Sequence, residues 1–571
     1  MKKLFLPIIA LFLIITVHAQ TQDVTIKMIH TTDLHGNFFP FDFINNRDSR
    51  GSLARVSSFI NEQRKEFDHV LLLDGGDLLQ GQPTVYYYNF VDTVSKHICA
   101  DVMNYVGYDA AVMGNHDIEG GHAVYDRWTK ECDFPVLGAN ILREDGTPYL
   151  PPYAIFEKGG VKIAIVGMIT KAIPAWLPEN LWEGLHFAGI EETAAGLLPV
   201  LKEKENPDII VGLFHTGVKT SEVAGYKESV GLEVAQRVPG FDVIFCGHDH
   251  SAFCQMIVNN SGDSVLVIDP AAGANRISDV TIHVKMENGV VKDKTVSGHL
   301  EEIATIEPDP DYMNYFSGAF RKIEEYVNAE IGEFTHAISA RDAFIGPSPF
   351  IDLLHSLQLE VGGADISLVA PLSQNAFIDS GKVYMRDMFN LYRYENLLYT
   401  MKLTGKEIKN SLEFCYGIWT NQMRSPDDHF LLIKPSEQHN EYQFVNPSFS
   451  FNSAAGIIYT VDVAKPVGER VDIISMADDS VFDEERAYLV AVNSYQGSGG
   501  GGILTDGAGI PKEKLSERIV RSTDKDLRYY LAEEIRKQRT VSPQALNQWK
   551  FIPEDWVREA GKRDCILVFG K

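Results

Sequence analysis

Cysteine is scarce, six in 571 residues, too few for a disulfide framework to replace a hydrophobic core. Positive charge is also short: 52 lysines and arginines face 78 aspartates and glutamates, a formal net charge of −26. Such a surface repels polyanions, which argues against a nucleic-acid polymer as partner. Any anionic ligand must therefore meet a local concentration of positive charge, such as bound metal ions. Past Val17 no apolar run approaches the roughly 20 residues a membrane-spanning helix needs. Also missing are a Gly-x-Ser-x-Gly nucleophile elbow, a Gly-x4-Gly-Lys-Ser/Thr phosphate loop and a closely spaced cysteine pair for structural zinc. What remains is ordinary globular composition, 45% apolar and 23% charged. At about 100–200 residues per domain, the length suggests two or more domains.

Lys2 and Lys3 precede an apolar run from Leu4 to Val17, and Val17-His18-Ala19 resembles a small-residue cleavage site. Residues 1–19 therefore read as a signal peptide, and the mature chain is expected to be exported, periplasmic or extracellular. The run is too short to span a bilayer and no cysteine follows it, so no stable membrane anchor is expected. Export permits disulfides among Cys99, Cys132, Cys246, Cys254, Cys415 and Cys565 without fixing a pairing. Cys246 lies in an apolar run and reads as a buried thiol.

From residue 24 to about 300, short β-branched runs alternate with amphipathic stretches. Val24–Ile29, His69–Leu73, Ala110–Met113, Val161–Met168, Asp208–Phe214 and Phe241–Cys246 read as buried strands, with helices such as Leu53–Phe67 and Glu191–Glu205 between them. That alternation is the signature of a layered α/β domain. Around Glu307-Pro308-Asp309-Pro310 the pattern changes, and a helix from about Tyr312 to Glu330 is expected to connect to a second region. There Ala364–Ala370, Leu398–Leu403, Ile457–Val463 and Ala487–Val492 read as strands.

The chemistry concentrates where the first-domain strands stop. In chain order these ends read Thr32-Asp33-Leu34-His35, Gly75-Gly76-Asp77, Gly114-Asn115-His116-Asp117, Phe214-His215-Thr216 and Gly247-His248-Asp249-His250. In an open α/β sheet the carboxyl ends of strands converge on one crevice. In an extended segment residues i and i+2 point the same way, so Asp33 with His35, and His248 with His250, can aim at one ion. Asp77 has two oxygens and can bridge two ions. Imidazole suits zinc, iron and manganese, and carboxylate and amide oxygens suit harder divalent ions. A lone histidine after a strand is usually structural, but five ordered pieces at five strand ends form a specific signal.

That ordered set resembles the calcineurin-like metallophosphoesterases, and the later region resembles the C-terminal domain of the 5′-nucleotidase and 2′,3′-cyclic-nucleotide 2′-phosphodiesterase family. The resemblance implies an α/β fold: a four-layer metallophosphoesterase domain (two β-sheets sandwiched by helices) over residues 20–305, a helical linker over 306–335, and a smaller α/β substrate-binding domain over 336–571. It implies two divalent metal ions, zinc, manganese, cobalt or iron. One is expected on Asp33, His35, Asp77 and His250, and the other on Asp77, Asn115, His215 and His248. Two ions about 3.5–4 Å apart clamp a phosphoryl group and lower the pKa of a bridging water to give the attacking hydroxide. His116 would stabilise the transition state or protonate the leaving oxygen. Either Asp117 or Glu119 would orient it, with Glu119 favoured because Asp117 can instead cap the following helix.

In the second domain the resemblance implies that a nucleotide base lies between Phe451 and Tyr495; the competing reading makes both rings core residues. The glycine run Gly499–Gly502 reads as a loop whose backbone passes close to the ligand. Asn115 and Arg393 join the substrate-binding set. The family's Asn-Gly-Gly-x-Arg segment has no arginine here, whereas Tyr392-Arg393-Tyr394-Glu395-Asn396 looks like the Tyr-x-Tyr-x-Asn segment of the cyclic phosphodiesterase branch. The expected ligand is a small nucleotide, and the favoured activity is 2′,3′-cyclic phosphodiesterase with 3′-nucleotidase. 5′-Nucleotidase or UDP-sugar hydrolase is the alternative. A sulfur-compound hydrolase on the same scaffold and a non-catalytic exported nucleotide-binding protein are the other classes.

Overall fold

The computed structural model describes residues 21–436 and 442–570; the segment read as a signal peptide lies outside the described residues. The first domain is built on two six-stranded sheets. Across the first, the order is Val290–Glu302, Arg276–Glu287, Thr21–Thr31, Val70–Asp74, Ala110–Val112 and Val136–Leu137. Across the second it is Phe253–Val258, Ser264–Asp269, Val243–Phe245, Ile209–His215, Val161–Ile169 and Tyr153–Lys158. The central strands run parallel, Lys27–Thr31 beside Val70–Asp74 and Ile209–His215 beside Ile163–Ile169.

These strands are apolar on both sides because both sides are covered. Ile26, Met28, Leu71 and Leu73 face Ile163, Ile165, Val211 and Leu213 between the sheets. Ile29 and Leu72 face outward onto the helices Leu53–Glu66 and Ile98–Val106. Ile210 and Ile244 of the other sheet face Ile190–Glu205 and Gly231–Arg237. Helix, sheet, sheet and helix make the four layers. Burying each of these Leu or Ile side chains contributes about 1.5–3 kcal/mol.

Asp309 caps the connector by accepting the backbone N–H groups of Asp311 and Tyr312, with Pro310 in the first turn. Two helices follow, Pro310–Tyr315 and Ser317–Val327. The helical part ends at Val327, short of the 306–335 linker read from sequence. Glu330–Phe334 is already a strand, paired with Gly381–Tyr384 and Thr540–Val541. Ile331 and Phe334 are buried in the second domain, which draws this segment into a sheet.

The second domain centres on a five-stranded mixed sheet in the order Ser453–Ala455, Ile366–Val369, Ala487–Asn493, Leu397–Thr404 and Ile519–Asp526. The helix Gly405–Trp419 packs against it, started by a reciprocal cap between Thr404 and Glu407. All six cysteines are free.

The two domains touch through a buried latch. Tyr86 of the first domain donates its hydroxyl hydrogen to Asp526 Oδ1 at 3.0 Å. Its ring and that of Phe389 flank the Arg528 guanidinium, at 4.7 and 4.6 Å.

Phe451 is a core residue, which corrects its expected place at the ligand. It is fully buried and stacks on Trp419, ring centroids 5.6 Å apart and planes 2° off parallel, with Phe344 and Phe444 around it. Phe451→Ala is expected to cost about 3–5 kcal/mol through lost burial and a cavity. Urea denaturation checks this, and a loss under about 1 kcal/mol contradicts the assignment.

Candidate active site

The first sheet's strands end at Thr31, Asp74 and Val112, and those of the second at His215 and Phe245. The loops beyond them zip together: Asp33 N–H donates to Gly76 O and His35 N–H to Asp77 O, both at 2.9 Å. The candidate ligand residues do not continue the extended backbone of the strands. Asp33, His35, Asp77, His248 and His250 have φ of 51°, 46°, 60°, 79° and 54°, all in the left-handed region. Such positions are costly for non-glycine residues and gather at functional sites. The side chains converge because the chain turns sharply after each strand.

Two groups result, each able to hold a metal ion: Asp33, His35 and His250, and Asp77, His215 and His248. His35 donates Nδ1–H to Gln80 O at 3.1 Å, which leaves its Nε2 bare; that atom faces His250 Nε2 at 3.1 Å. His250 Nε2 is 3.2 Å from Asp33 Oδ1. His215 donates Nδ1–H to Gly75 O at 2.7 Å, and His248 donates Nε2–H to Glu228 Oε1 at 3.1 Å. Their bare nitrogens both face Asn115 Oδ1, at 2.9 and 2.8 Å. Asp77 Oδ2 lies 3.3 Å from His215 Nε2, is buried and has no hydrogen-bond partner. With neutral imidazoles these atoms are acceptors facing acceptors, a repulsion that a proton or a cation among them relieves. The donor set fits divalent transition metals.

The carboxylates are held in the form that binds metal, whereas the histidines divide. Burial opposes charge on Asp33, yet the hydrogen bond from His250 and the charge of His215 hold its pKa down to about 2. Asp77 is held well below the usual range: burial opposes its charge, but His215, His116 and His35 outweigh it. Burial pushes His35 down to about 4. Ionised carboxylates and neutral imidazoles are the forms that bind metal. For His215, burial is outweighed by Asp77, which pushes it up to about 9. The potential that stabilises a proton there also favours a cation in its place.

Asn115 and His116 open a short helix, Asn115–Ile118, capped by Gly114. A Cβ at Gly114 would meet Asp77 Oδ1 at 2.1 Å, so only glycine lets these loops approach. His116 N–H donates to Asp77 Oδ1 at 2.8 Å, and its Nδ1 pairs with Glu119 Oε1 at 2.7 Å. Burial would strip the ring's proton, but Glu119 and Asp77 push it up to about 10. The hydrogen bonds of the Asp117 carboxylate go elsewhere than to the His116 ring. It accepts the backbone N–H groups of Asp77, Leu78, Leu79 and Gly114 at 2.7–2.9 Å. It shapes the loop and does not orient His116.

The site opens into a cleft of about 240 Å³ between the domains. Asn115, His116, Glu119, Trp176, Glu228 and His248 line one wall, and Tyr394, Glu395, Asn396, Phe449, Asn493 and Tyr495 the other. Tyr495 is thus in the cleft, and Phe449, two residues before Phe451, stands with it. The two rings meet edge to face, centroids 6.0 Å apart. They present a platform with no slot for a third ring between them. The glycine run supports that platform: a Cβ at Gly500 would meet Tyr495 Cε2 at 2.5 Å. Arg393 is exposed and lies 5.9 Å over the Tyr394 ring, outside the cleft lining. Sequence reasoning missed Phe449, Glu228, Trp176 and Glu395. Only Glu395 carried a signal, as part of the Tyr-x-Tyr-x-Asn segment.

Fold and site together define a two-domain phosphoesterase. Residues 26–252 match the calcineurin-like phosphoesterases, and residues 330–506 match the 5′-nucleotidase C-terminal domain. In sequence the chain is thus similar to calcineurin-like phosphoesterases in its first domain and to 5′-nucleotidases in its second. It is 26% identical to the 2′,3′-cyclic-nucleotide 2′-phosphodiesterase/3′-nucleotidase of Haemophilus influenzae, an alignment spanning 93% of this chain and 88% of that protein. It is also 26% identical to the trifunctional nucleotide phosphoesterase protein YfkN of Bacillus subtilis, over 97% of this chain but only 41% of that longer protein. In fold it is similar to a Staphylococcus aureus 5′-nucleotidase candidate solved with α-ketoglutarate, with a TM-score of 0.74, 22% identity, and 92% of this chain and 99% of that one covered.

Two variants test the construction. Asp117→Ala leaves buried backbone N–H groups without an acceptor, at about 1–3 kcal/mol each. It is expected to lower the melting temperature far more than Glu119→Ala; equal losses contradict the loop-shaping role. Asp77→Asn is expected to lose more bound metal than Asn115→Ala, read by elemental analysis. Equal metal content contradicts the expectation that Asp77 bridges two ions.

Proposed function

We propose that the protein hydrolyses phosphate esters of small nucleotides, with 2′,3′-cyclic and 3′ phosphates favoured, using two divalent cations. Asp33, His35, Asp77 and His250 hold one cation, and Asp77, Asn115, His215 and His248 the other. The observation that carries this reading is the pair of acceptor clusters at a cleft whose second-domain wall carries Phe449 and Tyr495. When bound, the cations supply Lewis-acid polarisation of the phosphoryl group and an acidified water. His116, held by Glu119, donates a proton to the leaving oxygen. Glu228 fixes the His248 ring through Nε2–H, and Trp176 packs 5.5 Å from that ring and keeps water from one side. The base stacks on the Phe449–Tyr495 platform, a contact worth about 1–3 kcal/mol.

The cyclic preference is supported by the name of the H. influenzae relative and by a cleft lined by no lysine or arginine. We also read residues 1–19 as an export signal. Among the described residues, no helix is long and apolar enough to cross a membrane.

Assays of 2′,3′-cyclic, 3′- and 5′-nucleotides with and without chelator test the reading. Chelation is expected to abolish turnover, and manganese, cobalt or zinc to restore it. Full activity in metal-free protein contradicts the mechanism, and faster 5′- than cyclic-nucleotide turnover makes 5′-nucleotidase the activity. His116→Ala is expected to retain bound metal and lose about 10²–10⁴ in kcat. Loss of metal in that variant would make His116 a ligand instead.

A further inference from the structure

Glu395 is an acid on the second-domain wall of the cleft. Its side chain is 2% exposed yet it lines the cleft. One oxygen, Oε1, accepts a hydrogen bond from the Arg528 guanidinium at 3.1 Å. The other, Oε2, is buried with no hydrogen-bond partner. Its position is fixed from behind. Arg528 is fully buried, held between the Tyr86 and Phe389 rings, and lies 3.5 Å from Asp526 Oδ2. Glu119 mirrors this arrangement on the first-domain wall: Oε1 pairs with His116, and buried Oε2 has no partner.

Two side chains that line the same cleft, one from each domain, therefore each keep a buried carboxylate oxygen without a hydrogen-bond partner. Leaving such an atom buried and unpaired costs about 1–3 kcal/mol or more. A second phosphate cannot satisfy them, because it is an anion and no lysine or arginine lines the cleft. A hydroxyl can. Under the proposed function, the phosphate lies at Asp77 and Asn115 and the base on Phe449 and Tyr495, which leaves the sugar beside Glu395. We infer that Glu395 is a specificity-determining residue that hydrogen-bonds a sugar hydroxyl of the ligand through Oε2, with Arg528 as its positioning residue. Burial pushes the Glu395 carboxyl up to about 7, against the charge of Arg528, and Glu119 adds to the rise. A hydroxyl pairs with either form, since it both donates and accepts.

The inference rests on the nucleotide reading, and the test separates the two. kcat/KM is measured for adenosine 3′-monophosphate and for its 2′-deoxy and 5′-deoxy analogues, in the wild type and in Glu395→Gln. The wild type is expected to favour the full ribonucleotide over at least one deoxy analogue by about tenfold or more, as for a hydrogen bond to a charged group. Glu395→Gln is expected to bring that ratio towards one. A purely structural Glu395 would lower all three substrates together and leave the ratio intact, which overturns the inference. If Glu395→Gln does not fold, the wild-type ratios decide alone: no discrimination against either analogue overturns it. Turnover of p-nitrophenyl phosphate without turnover of any nucleotide overturns the nucleotide reading, and this inference with it.

Discussion

The structure depends on one local conflict, the crowding of hydrogen-bond acceptors around Asn115 and Asp77. Two imidazole nitrogens face one carboxamide oxygen, and a carboxylate oxygen without a hydrogen-bond partner lies beside them. In a low-dielectric interior such a cluster is strongly unfavourable by itself. A divalent cation turns each repulsion into a bond. Under the proposed function, the positive charge that no lysine or arginine supplies at the cleft would come from the cations and from His116.

The scaffold carries the cost of holding that arrangement. Five of the candidate ligand residues sit in left-handed backbone conformations, each costing of order 1–3 kcal/mol. They persist because Asp117 collects four backbone N–H groups and the loops after two strands hydrogen-bond to each other. The apolar layers beneath leave the strand ends little freedom to relax. The second domain contributes the other half of the cleft, tied to the first by Tyr86, Asp526 and Arg528.

Much of this was legible in the sequence, for identifiable reasons. The first-domain strands are continuous apolar runs because both their faces are covered, and the polar residues that end them mark the site. The family resemblance followed from those ends, and the matches over 26–252 and 330–506 support it. The backbone reasoning was less successful, because the i, i+2 spacing belongs to turns and not to strands. Asp117 and Glu119 are separated only by hydrogen bonds that a sequence does not display. Ser448-Phe449-Ser450-Phe451 offers two rings of the same parity. A 3-10 turn at Ser448–Ser450 sends Phe449 to the cleft and Phe451 to the core. Glu228 reaches His248 from a hairpin twenty residues earlier, a pairing that no local pattern encodes.

The central claim is that the two acceptor clusters are cation sites. Elemental analysis of the purified full chain, dialysed against trace divalent metals and counted per protein molecule, tests it most directly. Two divalent cations per chain are expected. A chain that folds, turns over a phosphoester and retains no cation would contradict it.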